Sequence, residues 1–474
     1  MELQLVLAAL LMSLAAAALQ RRIRRVRAET TVHHVVDAAV AHRAFNGNPQ
    51  GLKNRPSGMF PVAAATGHGG TRNENVTSVK YGPHWRALRC NLTAESLHPS
   101  RIASLGPLQQ DATQALVVDL SALVQDAGGE AVVEVRGHVR SAVYALAARQ
   151  CFGDGLDPTL LRAMELAIRE LAAGIGELNP VYDGTWLTQL VYRRPLRHLL
   201  GFLERQTKLY IPLIEARREI VRQTSGDDRD VRPYVDSLLD ARVPNAGGVG
   251  GGRRDLRNDE LVVLVAEFVG ATYGSAVACL EWTLAHLVMQ PEVQKKLRRE
   301  IDDGGELSVK TLRGMPYLNA VVLESLRMYP PVPILLRSAH GKAAKAVGAT
   351  TVPADGLRVM FDLGAIGRDS KVWTNPNEFR PERFLPGGEA EDVGPTPGRK
   401  EIRMMPFGAA HRVCPGITMG MMHIKWFLAA LVREFEWAPS PEDRTGGVDL
   451  TEHNGFFKVM KKPLSARLTR RAKP

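Results

Sequence analysis

Residues 406–416 of this 474-residue chain read PFGAAHRVCPG, and they carry the most information about its architecture. The stretch holds one cysteine, Cys414, among glycine, proline and arginine residues, and a helical apolar pattern follows from about Gly416 to Phe435. A helix that begins just beyond a sulfur atom points its free N–H groups and its positive end towards that atom. A single cysteine is nevertheless most often a buried, inert thiol, so other residues must decide whether Cys414 holds a metal.

The composition is that of an ordinary globular protein with an aliphatic core. Hydrophobic residues make up 45% of the chain, charged residues 23% and aromatic residues 6%, which excludes the disordered, collagen-like and coiled-coil classes. The length allows either several ordinary domains or one large fold. The four cysteines are too scattered for a disulfide framework and form no CxxC pair, which predicts a reducing compartment and no zinc site.

The net charge of +11 suits three kinds of partner, namely nucleic acid, an anionic membrane surface or an acidic protein. The basic residues form no repeat with aromatic residues and no zinc finger, so nucleic acid is not expected. A glycine-rich run at residues 245–252 fails the GxGxxG spacing and follows no predicted strand, so a dinucleotide site is not expected either.

The first twenty residues predict a transmembrane anchor. Residues 3–19 read LQLVLAALLMSLAAAAL and, as a helix, would span roughly 26 Å, close to the thickness of the endoplasmic reticulum bilayer. A basic flank at residues 21–29 follows, and the positive-inside rule therefore keeps the bulk of the protein in the cytosol. The alternative is a cleaved signal peptide with its small-residue site at residues 15–17, which the missing basic n-region disfavours.

Capping residues and apolar periodicity predict two further long helices. One spans about residues 259–289, with Asn258 as its N-cap, acidic residues in its first turn and Pro291 beyond its end. The other spans about residues 316–329, where two prolines stop it. Between residues 330 and 405, turns alternate with short apolar stretches such as LRVMFDL, which predict a few strands. The expected fold is mainly α with small β-sheets.

The spacing around Cys414 resembles the heme-binding loop of the cytochrome P450 superfamily, whose pattern is F-x-x-G-x-R-x-C-x-G. Phe407, Arg412 and Gly416 stand at the matching positions. The resemblance implies that the Cys414 thiolate is the axial ligand of the iron in heme b, to which it donates electron density that favours O–O cleavage. It also implies that Arg412 pairs with a heme propionate and that Phe407 packs beneath the macrocycle.

Two further motifs of the family lie in the expected order and imply a buried ion-pair network. Glu324 and Arg327 stand three residues apart on the helix at about 316–329, where the family has its ExxR motif. The stretch FRPERF at residues 379–384 resembles the PERF box, whose arginine is Arg383 here. Buried charges must be paired to be tolerated, so the resemblance implies that Glu324, Arg327 and Arg383 contact one another.

Two more matches concern the heme propionates. The stretch WRALR at residues 85–89 matches the family's WxxxR motif, which implies that Trp85 and Arg89 contact a propionate. Arg337 falls where the family often has another propionate ligand. The matches extend over residues 75–460, and the phrases KEIRMMPFG and WTNPNEFRPERF resemble plant microsomal members of the A-type clan.

Two departures concern the thiol loop and the beginning of the chain. Ala410 stands where the loop pattern has glycine, and if this position needs a positive φ, alanine costs about 1 kcal/mol or more. Family members also have a proline-rich hinge, a first helix and opening strands after the anchor. Here Arg27 leads within about ten residues into VVDAAVAHRAF, so we expect several dozen residues of that region to be absent.

The helix at about 259–289 departs at the oxygen site. The family usually carries A-G-x-D-T-T, and this chain reads ATYGSA at residues 271–276. An acid–alcohol pair arranges the proton relay for dioxygen activation, and here Gly274 replaces the acid while Ser275 keeps a hydroxyl group. Ala271, Ser275 and the neighbouring Thr272 are therefore the expected catalytic residues of this oxygen-site helix.

The resemblance implies one heme domain at residues 30–474, behind the anchor at residues 1–20 and the basic flank at residues 21–29. The implied reaction inserts one atom of dioxygen into an apolar organic substrate, with electrons from NADPH through a flavin reductase at the endoplasmic reticulum membrane. Two alternatives stay open, namely a relative that binds heme without turnover and a heme-thiolate isomerase or dehydratase. The sequence does not specify the substrate.

Overall fold

A computed structural model describes the chain at residues 32–56, 74–178, 193–223, 232–245, 252–353, 356–453 and 455–471. The predicted anchor at residues 1–20 and the basic flank at residues 21–29 lie outside these ranges.

Runs of consecutive helices are separated by short strands, and two short 3₁₀ turns, Pro381–Phe384 and Ala410–Arg412, lie within the motifs of interest. The α-helices are α1 (Ala38–Gly47), α2 (Pro83–Asn91), α3 (Pro99–Ser104), α4 (Gly106–Asp126), α5 (Val135–Phe152), α6 (Pro158–Leu178), α7 (Arg193–Gln223), α8 (Tyr234–Leu239), α9 (Asn258–Met289), α10 (Pro291–Asp303), α11 (Val309–Arg313), α12 (Pro316–Met328), α13 (Gly341–Ala346), α14 (Leu363–Gly367), α15 (Ile417–Glu434) and α16 (Asp443–Gly446). The strands are β1 (Val32–Val35), β2 (Glu130–Glu134), β3 (Arg242–Pro244), β4 (Arg253–Asp255), β5 (Ile334–Ala339), β6 (Leu357–Asp362), β7 (Phe435–Pro439), β8 (Glu452–His453), β9 (Val459–Met460) and β10 (Ser465–Arg470).

Helix α9 is the axis of the main core and packs against α5, α7, α12 and α15. Its first turn carries Asp259 and Glu260, and the Glu260 carboxylate accepts the N–H of Arg257 at 2.9 Å. Arg257 therefore occupies the N-cap position, and Asn258, which we expected there, is the first helical residue. Among the described residues, α9 alone is long and apolar enough to span a membrane, and its burial in the protein marks it as a core helix.

The β structure is confined to small sheets, so the architecture is mainly α, as predicted. Strand β6 pairs in parallel with β1 and antiparallel with β5, and this sheet covers a second, smaller core. Strand β10 pairs with β2 and β7.

One element was predicted wrongly. The glycine-rich run at residues 245–252 does follow a strand, because β3 ends at Pro244 and pairs antiparallel with β4. A hairpin of two three-residue strands has no hydrophobic alternation long enough to be seen in a sequence. It is also not the parallel βαβ unit of a dinucleotide site.

Candidate functional site

Residues 406–416, here called the thiol loop, form a compact turn that ends at the N-terminus of α15. The N–H of Cys414 donates to the carbonyl oxygen of Phe407 at 2.8 Å, and that of Val413 donates to Ala410 at 3.0 Å. Ala410 has φ of 56°, so the loop does require the left-handed conformation at the position where the family has glycine. Gly416 is the N-cap of α15, which places the positive end of that helix beside the cysteine.

The surroundings of Cys414 act on its thiol in opposite directions. Burial raises the pKa of Cys414, whereas a hydrogen bond from the Gly416 N–H and the nearby guanidinium groups of Arg89 and Arg55 lower it, and burial dominates. A metal ion binds the thiolate form of cysteine, so coordination would favour deprotonation of Cys414 in the same direction as the N–H group and the two guanidinium groups.

Four arginines, Arg55, Arg89, Arg337 and Arg412, form a cationic cluster around the thiol loop, and we call it the arginine cluster. Arg412 donates to the carbonyl oxygens of Lys53 at 3.0 Å, Val76 at 3.0 Å and Val79 at 2.6 Å. Burial and the neighbouring guanidinium groups of Arg55 and Arg89 lower the pKa of Arg412 to about 10.

The other members of the arginine cluster are also tied to backbone carbonyl groups. Arg89 donates to Val413 at 2.7 Å, and Arg55 donates to Thr77 at 3.0 Å. Burial lowers the pKa of both guanidinium groups.

Arg337 on β5 is the member of the cluster whose guanidinium group lacks the most hydrogen-bond acceptors. Its side chain is fully buried and donates from Nη1 to the carbonyl oxygen of Leu336 at 2.9 Å. Its Nε and Nη2 groups find no acceptor among the described residues. Burial, together with the positive charges of Arg55 and Arg412, holds the pKa of Arg337 well below its usual range. Such a site calls for an anion, and the carboxylates of heme propionates have the right charge and acceptor groups.

Trp85 lies against the arginine cluster, and its indole N–H group is bound by the protein backbone. Its indole Nε1 donates to the carbonyl oxygen of Val76 at 3.2 Å. The guanidinium groups of Arg412 and Arg89 lie over its ring, 5.0 Å and 5.8 Å from the ring centroid. Trp85 therefore supports two of the arginines through its π face.

Glu324, Arg327 and Arg383 are brought together in one fully buried network. Arg327 binds both carboxylate oxygens of Glu324, at 2.7 Å and 2.8 Å, and Arg383 donates from Nε to Glu324 at 3.2 Å. Other N–H groups of the two arginines bind backbone carbonyl groups at residues 367–378, and Arg383 Nη1 also forms an ion pair with the carboxylate of Glu389. The network therefore ties α12 to the Pro381–Phe384 turn and to the chain that leads into the thiol loop.

The oxygen-site residues of α9 divide between two faces of the helix. Ala271 is exposed and Ser275 is partly exposed one turn later, so both lie on a face that borders open space. Thr272 is buried and donates to the carbonyl oxygen of Phe268 at 2.7 Å, which places it away from the other two. The Ser275 hydroxyl group donates to the carbonyl oxygen of Ala271 at 2.8 Å.

A phenyl ring fills the space where the family has its acid. A Cβ atom at Gly274 would lie 2.2 Å from Cε2 of Phe457, so any side chain there requires that ring to move. Phe457 lies in the turn between β8 and β9, which α9 holds through a bond from Trp282 Nε1 to the Lys458 carbonyl oxygen at 2.9 Å. Phe457 belongs to no motif that the sequence singled out, and a contact across 183 residues of chain has no signal in one sequence.

Sequence reasoning also missed Arg55 and Glu267. Arg55 has no spacing pattern that could have pointed to it. Glu267 did carry a signal, because a carboxylate one turn before Ala271, among the apolar residues in the middle of the helix, needs a partner. That partner is the backbone of Val76 and Thr77.

Three comparisons with known proteins identify the family and the fold. The family model described as Cytochrome P450 matches residues 25–469. Cytochrome P450 89A9 of Arabidopsis thaliana is 33% identical over 449 residues, which cover 93% of this chain and 84% of that protein. Salutaridine synthase of Papaver somniferum is 29% identical over 412 residues, covering 85% and 74%. A solved zebrafish cytochrome P450 structure with abiraterone has a TM-score of 0.70 at 21% identity and covers 93% of each chain, which supports the fold.

Proposed function

The chain belongs to the cytochrome P450 family of oxygen-incorporating oxidoreductases, and from this premise we propose that Cys414 is the axial thiolate ligand of its heme iron. The observation that carries the proposal is the buried Arg337 guanidinium, with two N–H groups unmatched among the described residues, beside the thiol loop. When bound, heme b supplies the iron at which dioxygen is reduced.

We assign the propionates to the arginine cluster. Arg337 presents Nε and Nη2, while Arg412 and Arg89 are held by backbone carbonyl groups and by the ring of Trp85. Phe407 and Gly416 lie on either side of the cysteine in the sequence, and Phe407 would offer an apolar ring to the bound cofactor. Removal of the cofactor anions would leave several cations close together in a buried site, which ties heme binding to the stability of this region.

The reaction we propose is monooxygenation of an apolar organic substrate. Ser275 and Ala271 border the open face of α9, and the Ser275 hydroxyl group can pass a proton once it turns away from the Ala271 carbonyl oxygen. No carboxylate stands at position 274, so water bound by Ser275 has to supply the protons. Electrons come from NADPH through a flavin reductase at the endoplasmic reticulum membrane, with the heme domain in the cytosol.

A reductase-coupled assay tests this proposal. The purified protein, an NADPH-dependent flavin reductase and a panel of fatty acids, terpenoids and phenylpropanoids are combined, and NADPH consumption and oxygenated product are measured together. We expect product with at least one substrate class, and Ser275→Ala should lower the product formed per NADPH consumed by about tenfold. Heme binding without product in any class would instead support a relative that binds heme without turnover.

A further inference from the structure

We infer that Glu267 is a positioning residue for the cofactor site. Its carboxylate fixes residues 74–79, here called the bridging segment, between α9 and the thiol loop, and this carboxylate lies next to backbone groups that Arg55 and Arg412 bind. The inference rests on the proposed heme function, because it concerns how the propionate-binding groups are held.

The contact between Glu267 and the bridging segment uses the whole carboxylate. Oε1 accepts the N–H of Thr77 at 2.8 Å, and Oε2 accepts the N–H of Val76 at 2.9 Å. Hydrogen bonds from N–H groups to an ionised carboxylate are stronger than those between neutral groups. The bridging segment is therefore held to the oxygen-site helix at two consecutive residues.

The carbonyl oxygens of Val76 and Thr77 bind side chains in and near the thiol loop. The Val76 carbonyl oxygen accepts Nη1 of Arg412 at 3.0 Å and the indole N–H of Trp85 at 3.2 Å. The Thr77 carbonyl oxygen accepts Nη1 of Arg55 at 3.0 Å. A continuous chain of hydrogen bonds thus runs from Glu267 on α9 to Arg412, two residues before the cysteine, and such chains strengthen one another.

The Glu267 carboxylate lies close to the arginine cluster. Burial raises the pKa of Glu267, whereas the N–H groups of Val76 and Thr77 and the Arg55 guanidinium favour its ionised form. Its negative charge in turn raises the pKa of Arg55 and Arg89 against the effect of burial. Arg337 differs in geometry, because its Nε and Nη2 groups find no acceptor among the described residues.

Three variants separate the two roles of Glu267. Glu267→Gln removes the charge and places an amide NH₂ group against a backbone N–H. Glu267→Asp keeps the charge and shortens the reach to the bridging segment. Glu260→Gln is the matched control, because Glu260 lies on the same helix and binds Arg254 at 2.7 Å without touching the bridging segment.

Two measurements read these roles. In the heme-free protein, amide hydrogen exchange at Val76 and Thr77 should become about tenfold faster in Glu267→Gln and Glu267→Asp, but not in Glu260→Gln. In the heme-bound protein, the midpoint potential of the iron should shift to more positive values in Glu267→Gln only, because loss of a nearby negative charge favours the reduced state.

The outcomes are distinguishable. If Glu267→Gln and Glu260→Gln change exchange and potential alike, Glu267 acts only as a general stabilising residue and the inference is wrong. If Glu267→Gln does not fold, Glu267→Asp still tests the inference. Unchanged amide exchange at Val76 and Thr77 in that variant would show that the Glu267 carboxylate does not fix the bridging segment. A wild-type protein that binds no heme at all would overturn the proposed function and not the contact between Glu267 and the bridging segment.

Discussion

The thiol loop and the oxygen-site helix α9 both carry family motifs, and they depart from the family pattern in different ways. The loop keeps its backbone geometry although Ala410 occupies a left-handed position, because bonds such as that from the Cys414 N–H to the Phe407 carbonyl oxygen over-determine its path. At Gly274 the helix instead lacks the carboxylate of the family pattern, and the Phe457 ring occupies the space where that side chain would lie. A backbone shape can therefore survive a mismatched residue, whereas a proton-donating group that has been replaced by packing cannot be recovered locally.

The largest expected effect comes from restoring the acid. Gly274→Asp should destabilise the protein by about 2–4 kcal/mol, because the new side chain overlaps the Phe457 ring and buries a carboxylate. Phe457→Ala in the same chain should recover at least half of that loss, which denaturant unfolding in a double-mutant cycle measures. Phe456→Ala is the control and should give a smaller recovery, because Phe456 is more exposed and packs edge-on against Phe457, whereas the atoms nearest to Gly274 belong to Phe457. Equal recovery by both alanine variants would contradict the packing of Phe457 on Gly274.

On the cofactor side, Arg337→Met should have opposite effects on two properties. Removal of a buried cation whose Nε and Nη2 lack acceptors among the described residues should stabilise the heme-free protein by about 1–3 kcal/mol. The same change should weaken heme binding by about tenfold, measured by transfer of heme to an excess of an apoglobin.

The control for Arg337→Met is Arg358→Met on the adjacent strand β6, where the side chain is partly exposed. It should leave heme affinity unchanged. If Arg337→Met destabilised the heme-free protein, the guanidinium would have a protein partner, and the anion-binding role assigned to it would be wrong.

The smallest expected effect comes from the loop itself. Ala410→Gly should stabilise the protein by about 1 kcal/mol, because glycine adopts a positive φ without the steric penalty of Cβ. Ala409→Gly is the matched control, because Ala409 is buried and has an extended backbone. Glycine at this position loses packing and raises the entropy of the unfolded chain, and both effects lower stability. The midpoint temperatures of thermal unfolding of the two variants should therefore shift in opposite directions. Shifts of the same sign would contradict the backbone strain assigned to Ala410.

Motifs local in sequence were predictable, and contacts between distant segments were not. The helix starts and stops follow from prolines and acidic first turns, and the residues of the thiol loop stand at fixed spacings. Phe457 meets Gly274, and Glu267 meets Val76, across well over a hundred residues, and no local propensity encodes such pairs. The bond from the Trp85 N–H to the Val76 carbonyl oxygen spans only nine residues, but it depends on the path of turns between them, which no helix or strand periodicity describes.

The most direct test of the central claim is the absorption spectrum of the reduced protein with carbon monoxide. If Cys414 binds heme iron as a thiolate, wild-type protein and the control Cys90→Ala, which changes an exposed cysteine, should both show a Soret band at about 450 nm. Cys414→Ala should lose that band. A wild-type protein that binds heme but shows no band at about 450 nm, or a Cys414→Ala variant that keeps it, would contradict the assignment of Cys414 as the ligand.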